Sequence, residues 1–306
     1  MNENVSFGFR LATESDTLHS SHQTLGLNDK SGSNEDFGLD QAYIMVQHKG
    51  ANAWAGKNEF PLWNLGDLLW DGDIQPEGFS AGYKTSYKNT KFTFSLSEFV
   101  VNESNWGEDD NIIAYQLKID TGSDAIGVSI AGGALSFFEG EKGNPDAPAL
   151  LEQDSTLAHV LAEFKLKKVA LTPRFGIGWT GSSISDNQLS GTIKSSDDSG
   201  FMIFGRAKLK AGGDTVKLTG LRLYYFDLGI ASQPGLGELG ADNFPFASNY
   251  RGWRAQVDFK LFKAISADVR YYYQTTKNED LVDLNSSAME GDRARQRIQV
   301  NLNVKF

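Results

Sequence analysis

The chain has 306 residues, 40% of them hydrophobic and 12% aromatic, with 32 glycines, 7 prolines and no cysteine; the missing cysteine excludes a disulfide framework, thiolate metal sites and cysteine catalysis. A formal charge of −10 argues against a general nucleic-acid binder, which needs a basic surface. A mean hydropathy of −0.36, with no apolar run near the ~18 residues of a membrane helix, leaves two classes: a large soluble β protein or a transmembrane barrel.

Met1 leads directly into a strand-like stretch with no signal peptide, as in a mature form with an added initiator. Strict apolar/polar alternation, the mark of a strand with two different faces, starts at Val5, Phe7, Phe9 and Leu11, with Ser6, Gly8 and Arg10 between them. It recurs at 36–47, 51–58, 77–87, 91–101, 112–120, 124–136, 155–166, 169–182, 199–210, 215–227, 248–262 and 264–275. It ends most clearly at the C-terminus, where Ile298, Val300, Leu302, Val304 and Phe306 alternate with Arg297, Gln299, Asn301, Asn303 and Lys305. The pattern predicts about fourteen strands and no amphipathic helix, each strand near the ~10 residues that cross a bilayer at a tilt.

The connectors alternate short and long. The short ones fall at 48–50, 88–90, 121–123, Lys167–Lys168, 211–214 and Lys263; the long ones at 14–35, 59–75, 102–111, 137–154, 183–198, 228–247 and 276–292. Up-and-down hairpins with one tight end and one elaborate end suit a transmembrane barrel with short periplasmic turns and long extracellular loops. An even strand count returns the chain to the side where it began. The whole of 1–306 then forms one barrel domain.

Charge is sorted by position. The seven long loops carry 27 of the 39 acidic residues and four of the 29 basic ones. Acidic loops suit a solvated surface, and also divalent-cation bridging to the phosphates of outer-leaflet lipopolysaccharide. The bases concentrate on one strand face: Arg10, Arg174, Arg206, Lys208, Arg254 and Arg270 are interleaved with apolar residues, and Arg293, Arg295 and Arg297 share one alternation. If the apolar face meets lipid, these bases point inward. A barrel of roughly fourteen strands is too wide for side chains to fill, so charged side chains inside it imply an aqueous interior. The competing reading is that the arginines pair with inward acids such as Asp258 and Asp268. Outward aromatics gather near both strand ends, with Tyr87, Phe92, Phe262 and Phe306 by the short turns and Trp179, Phe201, Trp253 and Tyr273 by the long loops. That placement fits two interfacial girdles.

One loop stands apart. Residues 59–75, EFPLWNLGDLLWDGDIQ, combine Leu62, Trp63, Leu65, Leu68, Leu69 and Trp70 with Glu59, Asp67, Asp71 and Asp73 and contain no base. Six large apolar groups in one loop predict that it packs on something. The preceding strand, AWAGKNEF, resembles the strand with a Gly-Lys pair that precedes the inward-folded loop of Gram-negative porins. The stretch WDGDIQPEGFSAGY at 70–83 resembles a signature of the putative-porin family of proteobacteria. The terminal Phe306 after alternating apolar residues is similar to the signal read by outer-membrane assembly machinery.

The resemblance implies an all-β, antiparallel up-and-down transmembrane barrel of about fourteen strands, with sixteen, common in porins, as the alternative. It implies an outer-membrane channel for ions and small hydrophilic solutes, working as a monomer or a trimer, with 59–75 as a constriction loop. Asp67, Asp71 and Asp73 would face the basic ladder, with Glu59 nearer the rim. An oligosaccharide-type specific channel remains an alternative, as does a barrel enzyme. No cofactor or metal site is expected: His19 and His22 with Asp16 form only a loose grouping, and His48 and His159 suggest no triad.

Overall fold

The computed structural model describes residues 4–13, 37–72, 74–102, 110–138, 154–184, 198–213, 216–233, 248–278 and 294–304. Fourteen strands form there: β1 (Val5–Thr13), β2 (Phe37–His48), β3 (Ala51–Lys57), β4 (Glu77–Tyr87), β5 (Thr90–Asn102), β6 (Asp110–Gly122) and β7 (Ile126–Phe138) in the first half, then β8 (Ser155–Leu166), β9 (Arg174–Ser182), β10 (Ser199–Gly212), β11 (Lys217–Leu228), β12 (Tyr250–Lys260), β13 (Ile265–Thr276) and β14 (Arg295–Val304). They make one sheet in strict chain order, every pair antiparallel. The strand rhythm read from the sequence is therefore the architecture.

Alternation fixes the two faces. Tyr83, Leu96, Tyr115, Ile130, Val160, Ile177, Ile203 and Leu223 are exposed, while Ser97, Gln116, Leu161, Met202, Arg254 and Tyr272, on the opposite parity, are buried. Among the described residues no element covers the apolar face, as expected of a sheet whose outer surface meets lipid. Aromatics lie at both ends of that face, Tyr87 and Phe262 by short turns and Trp179 and Phe201 by long loops. Trp253 packs against Tyr271 with ring centroids 4.9 Å apart.

The short ends have tight-turn geometry. Lys49 and Gly50 both have positive φ, 46° and 88°, the pairing whose twist matches a two-residue hairpin. The connection after β8 departs from expectation. Instead of a tight turn at Lys167–Lys168, it runs to Pro173, with Leu171 and Thr172 at φ 71° and 40°. Pro173 lacks the amide a ladder needs, so β9 starts at Arg174 rather than near residue 169.

The sheet curls. Asp67, on the loop between β3 and β4, reaches Arg254 on β12. A flat sheet would hold β4 and β12 roughly 38 Å apart at ~4.8 Å per strand, farther than a loop that turns back at Leu65–Leu68 spans. The described pairings end at β1 and β14, which are not joined to each other among the described residues. Their outward side chains are accordingly the barest: Phe7 is 70% and Ile298 72% exposed.

Candidate functional site

The loop between β3 and β4 lies on the inward face and is held there by its own sequence. Leu68 and Leu69 are fully buried, and with Leu65 they join Ala131, Leu161, Met202, Phe204, Tyr224, Phe226, Tyr250 and Tyr272 in one apolar cluster. Leu62 and Trp70 enter a second cluster with Trp54, Phe99, Ile112 and Leu135. Phe60 stacks on Trp70 at 4.7 Å. The loop thus lies along the wall from β3 to β13.

Two glycines permit the contact. A Cβ on Gly178 of β9 would lie 2.5 Å from Leu68 Cδ2. Gly66, at φ +58°, would place a Cβ 2.8 Å from Met202 Sδ and 2.9 Å from the Tyr224 ring. Gly66 and Asp67 (φ 64°) are both left-handed, and this turns the chain at the tip.

Polar groups fix the rest. The Trp63 amide donates to Gln116 Oε1 at 2.8 Å, and Gln116 Nε2 donates to the Trp63 carbonyl at 2.9 Å. The same Nε2 lies 3.0 Å from His159 Nε2. Within the loop, Asn64 Nδ2 donates to the Trp70 carbonyl at 2.6 Å, the Leu69 amide to Asn64 Oδ1 at 3.0 Å, and Trp70 Nε1 to the Ile74 carbonyl at 2.9 Å. Of the four loop acids, Asp67 lies 3.7 Å from Arg254 Nη1, Asp71 is buried in the loop's own turn, and Glu59 is exposed at its root. Asp73 lies outside the described residues.

Below the loop, toward the short turns, strand register lines up a basic row: Lys165, Arg174, Arg206, Arg222, Gln256, Arg270 and Gln299 face one another in succession across β8 to β14. Like charges directly opposite repel, and acids from the neighbouring rows offset this. Glu163 accepts Arg174 Nη1 at 3.1 Å and Arg206 Nη2 at 2.6 Å. Asp258 accepts Arg222 Nε at 3.0 Å, and Asp268 accepts Arg270 Nε at 2.8 Å. Arg254 adds a contact over the Tyr224 ring, 4.1 Å from its centroid. A space of about 710 Å³ opens beside the row, bounded by Arg174, Arg206, Lys208, Arg222, Asp258 and Asp268.

The predicted bases divide accordingly. Arg174, Arg206, Arg254 and Arg270 share the loop-bearing face and are ion-paired, as the competing reading had it. Lys208 is exposed on that face. Arg297 sits 6.0 Å from the Tyr272 ring centroid, with Arg295 on the same parity. Arg10 pairs with Asp40 on β2. Arg293, Phe306, His19, His22 and Asp16 fall outside the described residues, as do most acids of the other long loops. Sequence reading missed Arg222, although its place between Leu221 and Leu223 repeats the signal that found Arg206. It also missed Glu163, Gln116 and the lysines Lys84, Lys91 and Lys118.

Residues 1–118 match the model of a family described as putative porin. No curated protein matches the chain. Among solved structures, Salmonella typhi OmpF in complex with daunomycin is similar over 99% of this chain and 86% of its own, at 11% identity and a TM-score of 0.55. Outer-membrane-expressed OmpT of Vibrio cholerae aligns over 88% of this chain and 80% of its own, at 11% identity and TM-score 0.45. OprD from Pseudomonas aeruginosa aligns over 88% and 78%, at 9% identity and TM-score 0.38. At these identities the likeness to OmpF is one of fold.

Proposed function

We infer that this chain is a porin of the bacterial outer membrane, a water-filled channel for passive diffusion of ions and small hydrophilic solutes. The observation that carries this is the inversion of the sheet: apolar side chains lie bare on one face, and charged rows with open space lie on the other. A soluble protein would bury the first face and solvate the second. A membrane barrel needs the reverse.

In this reading residues 1–306 form one barrel domain, and 59–75 narrows its lumen. The apolar side of the loop is spent on the wall, while Asp67 and Glu59 remain near the passage. Arg10, Arg174, Arg206, Lys208, Arg254, Arg270, Arg295 and Arg297 line the channel. Because several guanidiniums are neutralised by carboxylates, the cations with no acid in ion-pair range among the described residues, Lys208 among them, weigh most in selectivity. The barrel has no catalytic role. Outside, the acidic loops bind divalent cations together with lipopolysaccharide phosphates. The barrel stands alone or joins copies of itself as a homo-oligomer.

A planar-bilayer recording of the refolded protein under a salt gradient tests the reading. Stepwise conductance with ohmic open-channel current supports it. A monodisperse protein, soluble without detergent and silent in the bilayer, overturns it.

A further inference from the structure

We propose that a pocket at the root of the 59–75 loop binds small organic carboxylates in transit, an assignment that rests on the channel reading above. The pocket holds about 350 Å³ and has two unlike walls, with Pro61, Leu62 and Trp63 of the loop on one side and Lys84, Lys91 and Lys118 of β4, β5 and β6 on the other. That volume is at the small end of ligand sites, which run ~300–1,000 Å³.

The charge here is unlike that of the arginine row. In that row, Arg174, Arg206, Arg222 and Arg270 each have a carboxylate in ion-pair contact. Among the described residues the one acid lining this pocket is Asp120, and it is already engaged: Lys118 Nζ lies 3.0 Å away and Ser129 Oγ donates to it at 2.5 Å. Lys118 also sits 4.7 Å from the Trp63 ring centroid, so its ammonium is held between acid and indole. Lys84 and Lys91 have no acid in ion-pair range among the described residues. Lys91 faces Asp120 across the β5–β6 ladder but lies outside ion-pair range of it, so the lysines outweigh the acid on this wall. The excess ammonium charge attracts an anion, and with flexible stems and rotatable donors these lysines adapt to its position.

The facing wall decides which anion. Leu62 is anchored by burial in the second apolar cluster. The Trp63 backbone is clamped from both sides by Gln116. The apolar wall is therefore fixed rather than induced, and it favours a solute with a compact apolar body behind its charge. Chloride or inorganic phosphate would use the lysines alone. A neutral solute of the same shape would use the loop alone. A monocarboxylate such as benzoate uses both, with its carboxylate toward Lys84 and Lys91 and its body on Leu62 and Trp63.

Single-channel recording of the full chain with benzoate, benzyl alcohol or inorganic phosphate as probe tests this. We expect benzoate to interrupt the current in a saturable way, benzyl alcohol to leave it unchanged, and phosphate to act only at higher concentration. Lys84→Gln/Lys91→Gln should weaken benzoate block by about tenfold or more, the scale of losing charge-assisted contacts. Leu62→Ala should weaken benzoate block and spare phosphate. Equal block by benzoate and phosphate, or an unchanged benzoate affinity in the double-lysine variant, would mean a diffuse field and overturn the site. Calorimetric titration of benzoate into the detergent-folded protein reads the same affinities without conduction. A silent but benzoate-binding barrel would thus fail the channel reading alone, and a conducting barrel without binding would fail this one alone.

Discussion

Asp67, at the tip of the loop between β3 and β4, lies 3.7 Å from Arg254 on β12. The contact ties strands eight places apart in a sheet whose described pairings join only chain neighbours. Arg254 is itself buried and rests on the Tyr224 ring, so the tip meets a fixed cation rather than a mobile one. The pair marks where the loop stops crossing and begins to follow the far wall.

Leu68 supplies much of the docking. Leu68→Ala removes a fully buried side chain, and such truncations cost about 2–5 kcal/mol where the site cannot collapse. Because the loop is not part of the sheet, the loss should fall on loop docking rather than on the barrel. Limited proteolysis should show faster cleavage within 59–75, while the β-type circular-dichroism signal and detergent-resistant migration remain unchanged.

Gly178 tests the same contact from the wall. Gly178→Val adds side-chain carbon where Leu68 Cδ2 now sits without breaking a ladder hydrogen bond, and valine suits a strand. The loop should be pushed off β9 while the strand persists. The expected readout is higher and noisier single-channel conductance, with heat-modifiable migration retained.

Glu163 holds two arginines at once. Glu163→Gln should leave Arg174 and Arg206 facing each other uncompensated, at a cost of about 1–2 kcal/mol after allowance for partial exposure. The lumen gains positive charge, so the reversal potential in a salt gradient should move toward that of the anion. Neutralising Arg295 and Arg297 together should move it toward the cation. Identical reversal potentials in both variants would place these side chains away from the ion path.

How much of this was legible in the sequence depends on distance along the chain. The strands at 77–87 and 155–166 were readable to the residue because alternation is local and each side chain reports its own face. The start of β9 was misread because alternation continued past Pro173, whose missing amide outranks it. The loop announced itself by carrying leucines and tryptophans where solvent was expected. What the sequence could not show is pairing: Glu163 meets Arg206 across 43 residues, through a register that exists only once β8, β9 and β10 are aligned. The lysines of the loop-root pocket were hidden for the same reason. Lys84, Lys91 and Lys118 belong to three strands, and nothing in any one of them marks the pocket.

The barrel itself predicts heat-modifiable behaviour. Unboiled protein in detergent should migrate differently from boiled protein and show a β-type circular-dichroism minimum. The physical cause is the continuous backbone pairing of fourteen strands in one sheet, which leaves detergent little to unzip without heat.

The most direct test of the central claim, that 59–75 lies in the path of permeating ions, is the single-channel conductance of a barrel lacking residues 64–72. That deletion removes Leu65, Leu68, Leu69 and Asp67 together and leaves every strand intact. The account predicts larger conductance and faster passage of bulky solutes than in the full chain. An unchanged conductance, in a deletion variant that still shows heat-modifiable migration, would contradict it.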